Sequence, residues 1–436
     1  MASPLSLTRF TERLRGAEPL PLAGLVVRTV GLLVESRGPR ARIGDLCDLV
    51  SADNVAQPVE VVGFRDGHLL SVPLAGTIGI RPGDRIVARG RAGGVRVGPG
   101  LLGRVIDSLG RPLDDLGPVG DTVPYPLQPP PINPLSREPI AAPLGTGVRA
   151  IDTLLSCGRG QRLGLFGGSG VGKSTLLGMM VRGTAADVTV IGLVGERGRE
   201  VRGFLEQDLG PEGRKRSVVV VSTSDNPPLM RLRAAYAATS VAEYFRDQGL
   251  SVLLLMDSVT RFATAQRELG LAAGEPPATR GYPPSVFALL PALLERAGGV
   301  RGGGSITAFY TVLVEGDDTN EPIADHVRAI LDGHIVLSRP LAARNHYPAI
   351  DILRSVSRTM PEVTTAPHRL KAAQVRQWLS TIEQSEDLVS VGAYVPGSNP
   401  RIDDAMGRRE ALDAFLRQPP DALVGAGDAV AALEAL

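Results

Sequence analysis

The sequence predicts an α/β protein in three parts: a small β-barrel, a mostly parallel sheet covered by helices, and a closing group of helices. Three observations carry this prediction. Short β-rich runs broken by turn residues fill residues 24–91, and several strands at such close spacing indicate a barrel or sandwich. From residue 140 to 360, uninterrupted apolar runs alternate with helical stretches, the pattern of strands buried on both faces. Beyond Pro361 the β-rich runs stop. The length of 436 residues fits two or three domains.

In chain order, residues 1–20 place Leu7, Phe10 and Leu14 on one helical face beside Arg9, Arg13 and Arg15, a short basic amphipathic segment. Residues 21–93 form the predicted barrel, with strands over Leu25–Val30, Val59–Val62, Leu69–Val72 and Arg85–Ala88. Gly103–Leu113 reads as a strand and turn leaving it. Within residues 94–360, the connector 117–143 carries Pro124, Pro126, Pro129, Pro130, Pro131 and Pro134, so it is extended. The core strands are expected at Leu163–Phe166, Val188–Val194, Val218–Val221, Val252–Met256 and Ile306–Phe309. Residues 361–436 are expected to be helical, with helices over Arg369–Ile382 and Arg408–Leu416.

Composition narrows the function. Lys and Arg number 47 against 46 Asp and Glu, a net charge of +1, so no global basic field advertises nucleic acid. The barrel also lacks interleaved aromatic and basic residues. Cys47 and Cys157 form no CxxC pair, and the five histidines show no ligand spacing, which argues against a disulfide framework or a zinc site. No apolar run approaches the ~20 residues of a membrane span, and no apolar signal region follows the N-terminus. A soluble, cytoplasmic protein is the expectation.

The strongest motif is Gly167-Gly168-Ser169-Gly170-Val171-Gly172-Lys173-Ser174, followed by Thr175, which fits G-x-x-x-x-G-K-[ST] at every fixed position. An apolar strand enters it, and Leu176, Leu177, Met180 and Val181 mark the buried face of a helix leaving it. In that context backbone N–H groups close around phosphate oxygens, Lys173 reaches the β/γ-phosphates, and Ser174 can hold Mg²⁺. Asp257 ends the apolar run Ser251–Met256, where a carboxylate would hold the same ion opposite Ser174. Glu196, at the end of another predicted strand, could orient an attacking water; the motif alone leaves open that it merely pairs with Arg197 or Arg199.

Four longer stretches extend this reading: Gly195–Glu200, Met256–Ala263, Gly274–Phe287 and Gly316–Ile323. Together they resemble the ATPase family of type III protein export, which serves flagella and virulence injectisomes and is related to the catalytic subunits of rotary F-type ATP synthases. The resemblance covers the chain from about Gly24. It implies a RecA-like P-loop ATPase core, a ring-forming N-terminal barrel and C-terminal helices facing an export channel. It further implies ATP and Mg²⁺ as ligands, Glu196 polarising water, and Arg197 supporting the γ-phosphate.

The stretch Tyr347–Arg358 matches the family segment that ends in an arginine finger, so Arg358 is expected to act in a neighbouring subunit's site. Both Glu196 and Arg358 stand on this one chain, so copies of it could complete every site as a homo-oligomer, a hexamer by resemblance. Other partners implied are a stator-type regulator at the N-terminal segment, a central coiled-coil stalk, the membrane export gate, and export chaperones with their cargo. The chain would then work at the inner face of the membrane, with no nucleic acid involved. Residues 390–403 look closer to flagellar relatives, which places flagellar export ahead of the injectisome. A rotary synthase subunit, an RNA translocase and a non-catalytic ring subunit are the rival readings. The chain departs from the synthases at one point: residues 361–368 hold no aromatic to stack on adenine, as the synthases have after their arginine segment.

Overall fold

The computed structural model describes residues 23–314 and 321–436. The basic amphipathic segment and the Gly316–Asn320 part of one family stretch lie outside the described residues. The chain divides into two units, residues 1–93 and 94–436.

In the first unit six strands close a barrel in the order β1-β2-β5-β4-β3-β6: β1 (Ala23–Val30), β2 (Leu33–Arg37), β3 (Asp45–Val50), β4 (Ala56–Arg65), β5 (His68–Pro73) and β6 (Arg85–Ala92). Neighbours are antiparallel, and β6 closes the ring by pairing with both β1 and β3. Asp66-Gly67 makes the two-residue hairpin between β4 and β5, both residues at positive φ as a right-twisted hairpin demands. Val26, Val34, Cys47, Leu49, Val59, Val61, Leu69 and Ile86 fill the interior. Strands β2 and β3 interrupt their apolar residues with Glu35, Ser36, Asp45 and Asp48, which hides them from a search for apolar runs.

The second unit adds β7 (Val95–Val97), β8 (Val105–Asp107), β9 (Val123–Tyr125), β10 (Arg137–Glu138), β11 (Arg162–Gly167), β12 (Val188–Glu196), β13 (Ser217–Thr223), β14 (Ser251–Asp257), β15 (Gly298–Val300), β16 (Ser305–Leu313), β17 (Gly333–Leu337) and β18 (Ile350–Ser357). Its main sheet runs β18-β17-β11-β16-β14-β12-β13-β8. Every neighbouring pair along this path is parallel except β17–β18. The strand expected to leave the barrel near Val105 is therefore β8, paired in parallel with β13 at the edge of this sheet.

All seven residues of β14 are buried, as are the first eight of β12, because helices cover both faces. The helix Pro228–Asp247 packs across β12, β13 and β14. The Pro-rich connector is stitched to it: Ser240 donates to Pro126 O at 2.9 Å, and Tyr125 donates to Asp247 at 2.7 Å. Arg296 ties Leu127 O (2.7 Å) to the buried Glu243 (2.6 Å). The C-terminal helices Ala366–Ser390 and Arg409–Leu416 bring Ala372, Val375, Trp378, Leu412 and Phe415 into the same hydrophobic cluster as β11 and the helix Lys173–Gly183.

Candidate active site

Parallel strands present their carboxyl ends along one edge, and loops there converge on a common crevice. The order β11-β16-β14-β12 thus sets four groups side by side: the P-loop after β11, Thr311 near the end of β16, Asp257 ending β14 and Glu196 ending β12. Gly170 and Gly172 adopt left-handed φ values of 82° and 84°, which lets the loop curl and hand over directly to the helix beginning at Lys173.

The side chains meet as the strand order dictates. Lys173 Nζ donates to Asp257 Oδ1 at 2.5 Å and lies 3.8 Å from Glu196 Oε1. Thr311 Oγ1 donates to the same Asp257 oxygen at 2.6 Å. Asp257 is 4% exposed. Glu196 Oε1 is buried and accepts no hydrogen bond. Burial, and next the charge of Asp257, push the Glu196 carboxyl up to about 7, against the pull of Lys173. Glu196 also hydrogen-bonds Glu200, whose own carboxyl is held below its ordinary value by that bond. Near neutral pH, then, Glu196 has both its acid and its base form within reach.

Of these, Lys173 and Glu196 open onto a cavity of about 810 Å³, lined also by Gly168, Ser169, Ser174, Thr175 and Arg197. Arg197 is three-quarters exposed and 3.9 Å from Glu200. The donors present are oxygens: the Ser174 hydroxyl, the Asp257 carboxylate and the orphaned Glu196 oxygen. That set suits a hard divalent cation such as Mg²⁺, and the Lys173 ammonium against Asp257 shows the place is built for positive charge.

Arg358 lies elsewhere. It comes directly after β18, whose last residue pairs with Gly333 at the start of β17, and its N–H donates to Asp332 O. That is roughly 13 Å back along the strands from the P-loop end, taking about four residues at ~3.3 Å each. Arg358 is exposed, and its guanidinium makes no ion pair among the described residues.

Among the cavity residues without an assignment from the sequence are Arg261, Tyr347 and Gln418. The first two stand inside stretches that bear the family resemblance. Tyr347 puts an aromatic ring in the cavity wall where residues 361–368 have none; it comes before β18 rather than after it, and its ring lies 3.0 Å from where a Cβ on Gly172 would sit. Gln418 carried no signal, since an isolated Gln in a helical C-terminal region matches no motif.

Comparison with known proteins agrees with this geometry. Residues 147–357 match the ATP synthase alpha/beta family, nucleotide-binding domain, and residues 364–435 match the T3SS EscN ATPase C-terminal domain. The chain is 54% identical over 416 residues to the flagellum-specific ATP synthase of Bacillus subtilis, covering 95% of this chain and 94% of that one. It is 51% identical over 401 residues to the type 3 secretion system ATPase of Xanthomonas euvesicatoria, covering 92% and 90%. Among solved structures, the assembled ATPase EscN of the enteropathogenic E. coli type III secretion system superposes with a TM-score of 0.89 at 45% identity, over 94% of this chain and 98% of that one. The same ATPase in complex with its central stalk EscO gives a TM-score of 0.87 at 44% identity, over 94% and 98%.

Proposed function

The chain belongs to the family of flagellum-specific ATP synthases and type 3 secretion system ATPases, and from that premise we propose that it hydrolyses ATP to drive protein export, most directly of flagellar components. The observation that carries the reading is the row Lys173, Asp257 and Glu196 along the carboxyl edge of the sheet, next to a complete P-loop.

The P-loop N–H groups hold the phosphates, and Lys173 exchanges Asp257 for the β/γ-oxygens. Ser174 and Asp257 would hold Mg²⁺, which supplies charge neutralisation at those oxygens. Glu196, ionised, accepts a hydrogen bond from the attacking water and aligns it with the terminal phosphorus. The P–O bond to the leaving ADP breaks as water's oxygen adds, and water's proton ends on phosphate or solvent. Arg197 supports the γ-phosphate from the cavity rim. Tyr347 offers its ring to the base. Arg358 serves the adjoining copy's site, where a guanidinium offsets charge on the transferring phosphoryl group.

A ring of identical copies follows from that division of labour, and a central stalk partner is in keeping with the EscN–EscO complex. No helix among the described residues is long and apolar enough to cross a membrane; the chain works at the inner face of the membrane, beside its export partners. The test is direct. The purified chain turns over ATP in the presence of Mg²⁺, and Glu196→Gln keeps nucleotide binding while turnover falls ~10²–10⁴-fold. Full turnover in that variant removes Glu196 from the chemistry.

A further inference from the structure

Part of the cavity wall comes from far along the chain: Tyr347 and Pro348 from the turn ahead of β18, Gln418 and Pro420 from the segment after the helix Arg409–Leu416. Gln418 is 2% exposed, and its amide is fully engaged within the protein. Oε1 accepts from the Arg149 N–H at 2.8 Å. Nε2 donates to Gly147 O at 2.8 Å and to Ala422 O at 2.7 Å. Its own backbone N–H donates to Tyr347 O at 2.9 Å.

Neighbouring bonds tie the same region together. Arg417 donates to Asn345 O at 3.1 Å, His346 Nδ1 meets Asp413 Oδ1 at 2.9 Å, and Arg182 donates to Pro420 O at 2.9 Å. The buried side-chain amide thus joins residues 147–149 to residues 417–422, and the backbone N–H of the same residue joins them to residues 345–348. An amide suits this place because it accepts and donates at once; a hydrocarbon of equal size would strand one N–H and two carbonyls. With its side-chain oxygen and nitrogen bonded to the protein in this way, Gln418 is engaged in holding its neighbours rather than in reading the edge of a base. Held in this way, its backbone ties Tyr347 and carries Pro420 two residues on, and these two line the cavity with surfaces a planar base can lie on.

We propose that Gln418 is a positioning residue for the nucleobase: it fixes Tyr347 and Pro420 as the base-contacting surfaces and makes their placement follow the C-terminal helices. This rests on the reading of the cavity as the nucleotide site. The inference separates two halves of the ligand, since Gln418 bears on the base and the P-loop bears on the phosphates.

The experiment exploits that separation in the full chain. In Gln418→Met, the KM and the competition-derived affinity for ATP weaken roughly tenfold, kcat stays within about threefold, and affinity for inorganic tripolyphosphate, which has no base, is unchanged. Unchanged ATP affinity overturns the proposal, as does a parallel loss of tripolyphosphate, which would mean general damage to the pocket. Should Gln418→Met fail to fold, Gln418→Asn keeps the amide one methylene short and is expected to show the same split in smaller measure. A wild-type chain that binds both ligands yet turns over no ATP sinks the catalytic reading, while the two affinities still decide the role of Gln418.

Discussion

Glu196 illustrates how much a single environment decides. An exposed glutamate is ionised throughout the neutral range, but this one is buried beside Asp257 and linked to Glu200, so it gives up its proton only near pH 7. Only the ionised form can align water. The expected outcome is a kcat/KM that falls as pH drops through about 7, reporting the free enzyme. In Glu200→Gln the hydrogen bond and the charge that raise the Glu196 carboxyl are removed, so the acidic limb should move to lower pH. A wild-type limb in the ordinary glutamate range near ~4.3 would contradict the assigned environment.

At the level of elements, the C-terminal helices are held to the nucleotide-binding sheet by a core that Trp378 anchors. Its ring is 5% exposed, its Nε1 donates to Asp404 at 2.7 Å, and the Arg408 guanidinium sits 4.2 Å above its centroid. Trp378→Ala should cost ~3–5 kcal/mol and lower the thermal midpoint, with Trp378→Phe recovering much of it; a midpoint unmoved by the alanine would show the helices docked by other means. The same elements explain what the sequence disclosed. Strands β11 to β14 and β16 were legible because burial on both faces demands unbroken apolar runs. Strands β17 and β18 were not: β18 is the edge strand and β17 the one beside it, both have alternating burial, and they carry His334, Asp351 and Arg354. Val105 was legible as strand but not as to which sheet it joins, because pairing with Val219 is a contact across more than a hundred residues. In the site, the P-loop was legible because one short segment contains it, whereas Tyr347 and Gln418 reach it only through folding.

At the level of the molecule, the division between P-loop and Arg358 predicts how activity depends on assembly. Specific activity should rise with protein concentration; activity per chain that stays constant down to separated monomers would count against shared sites. Complementation is sharper. Lys173→Ala lacks the phosphate-binding amine and Arg358→Ala lacks the donated guanidinium, so each alone is expected to be inactive. Mixed rings contain junctions where the intact P-loop of one variant meets the intact Arg358 of the other, and part of the activity should return. A mixture no more active than the sum of its components would place Arg358 outside the reaction.

The position of Arg358 at the far end of an edge strand carries a physiological corollary. On the proposed role of Arg358, a newly synthesised chain would hold half of each of two reaction centres and would not squander the cell's fuel while it drifts alone. Expenditure would then begin only once siblings have gathered into a closed circle, and quaternary assembly itself would be the ignition key.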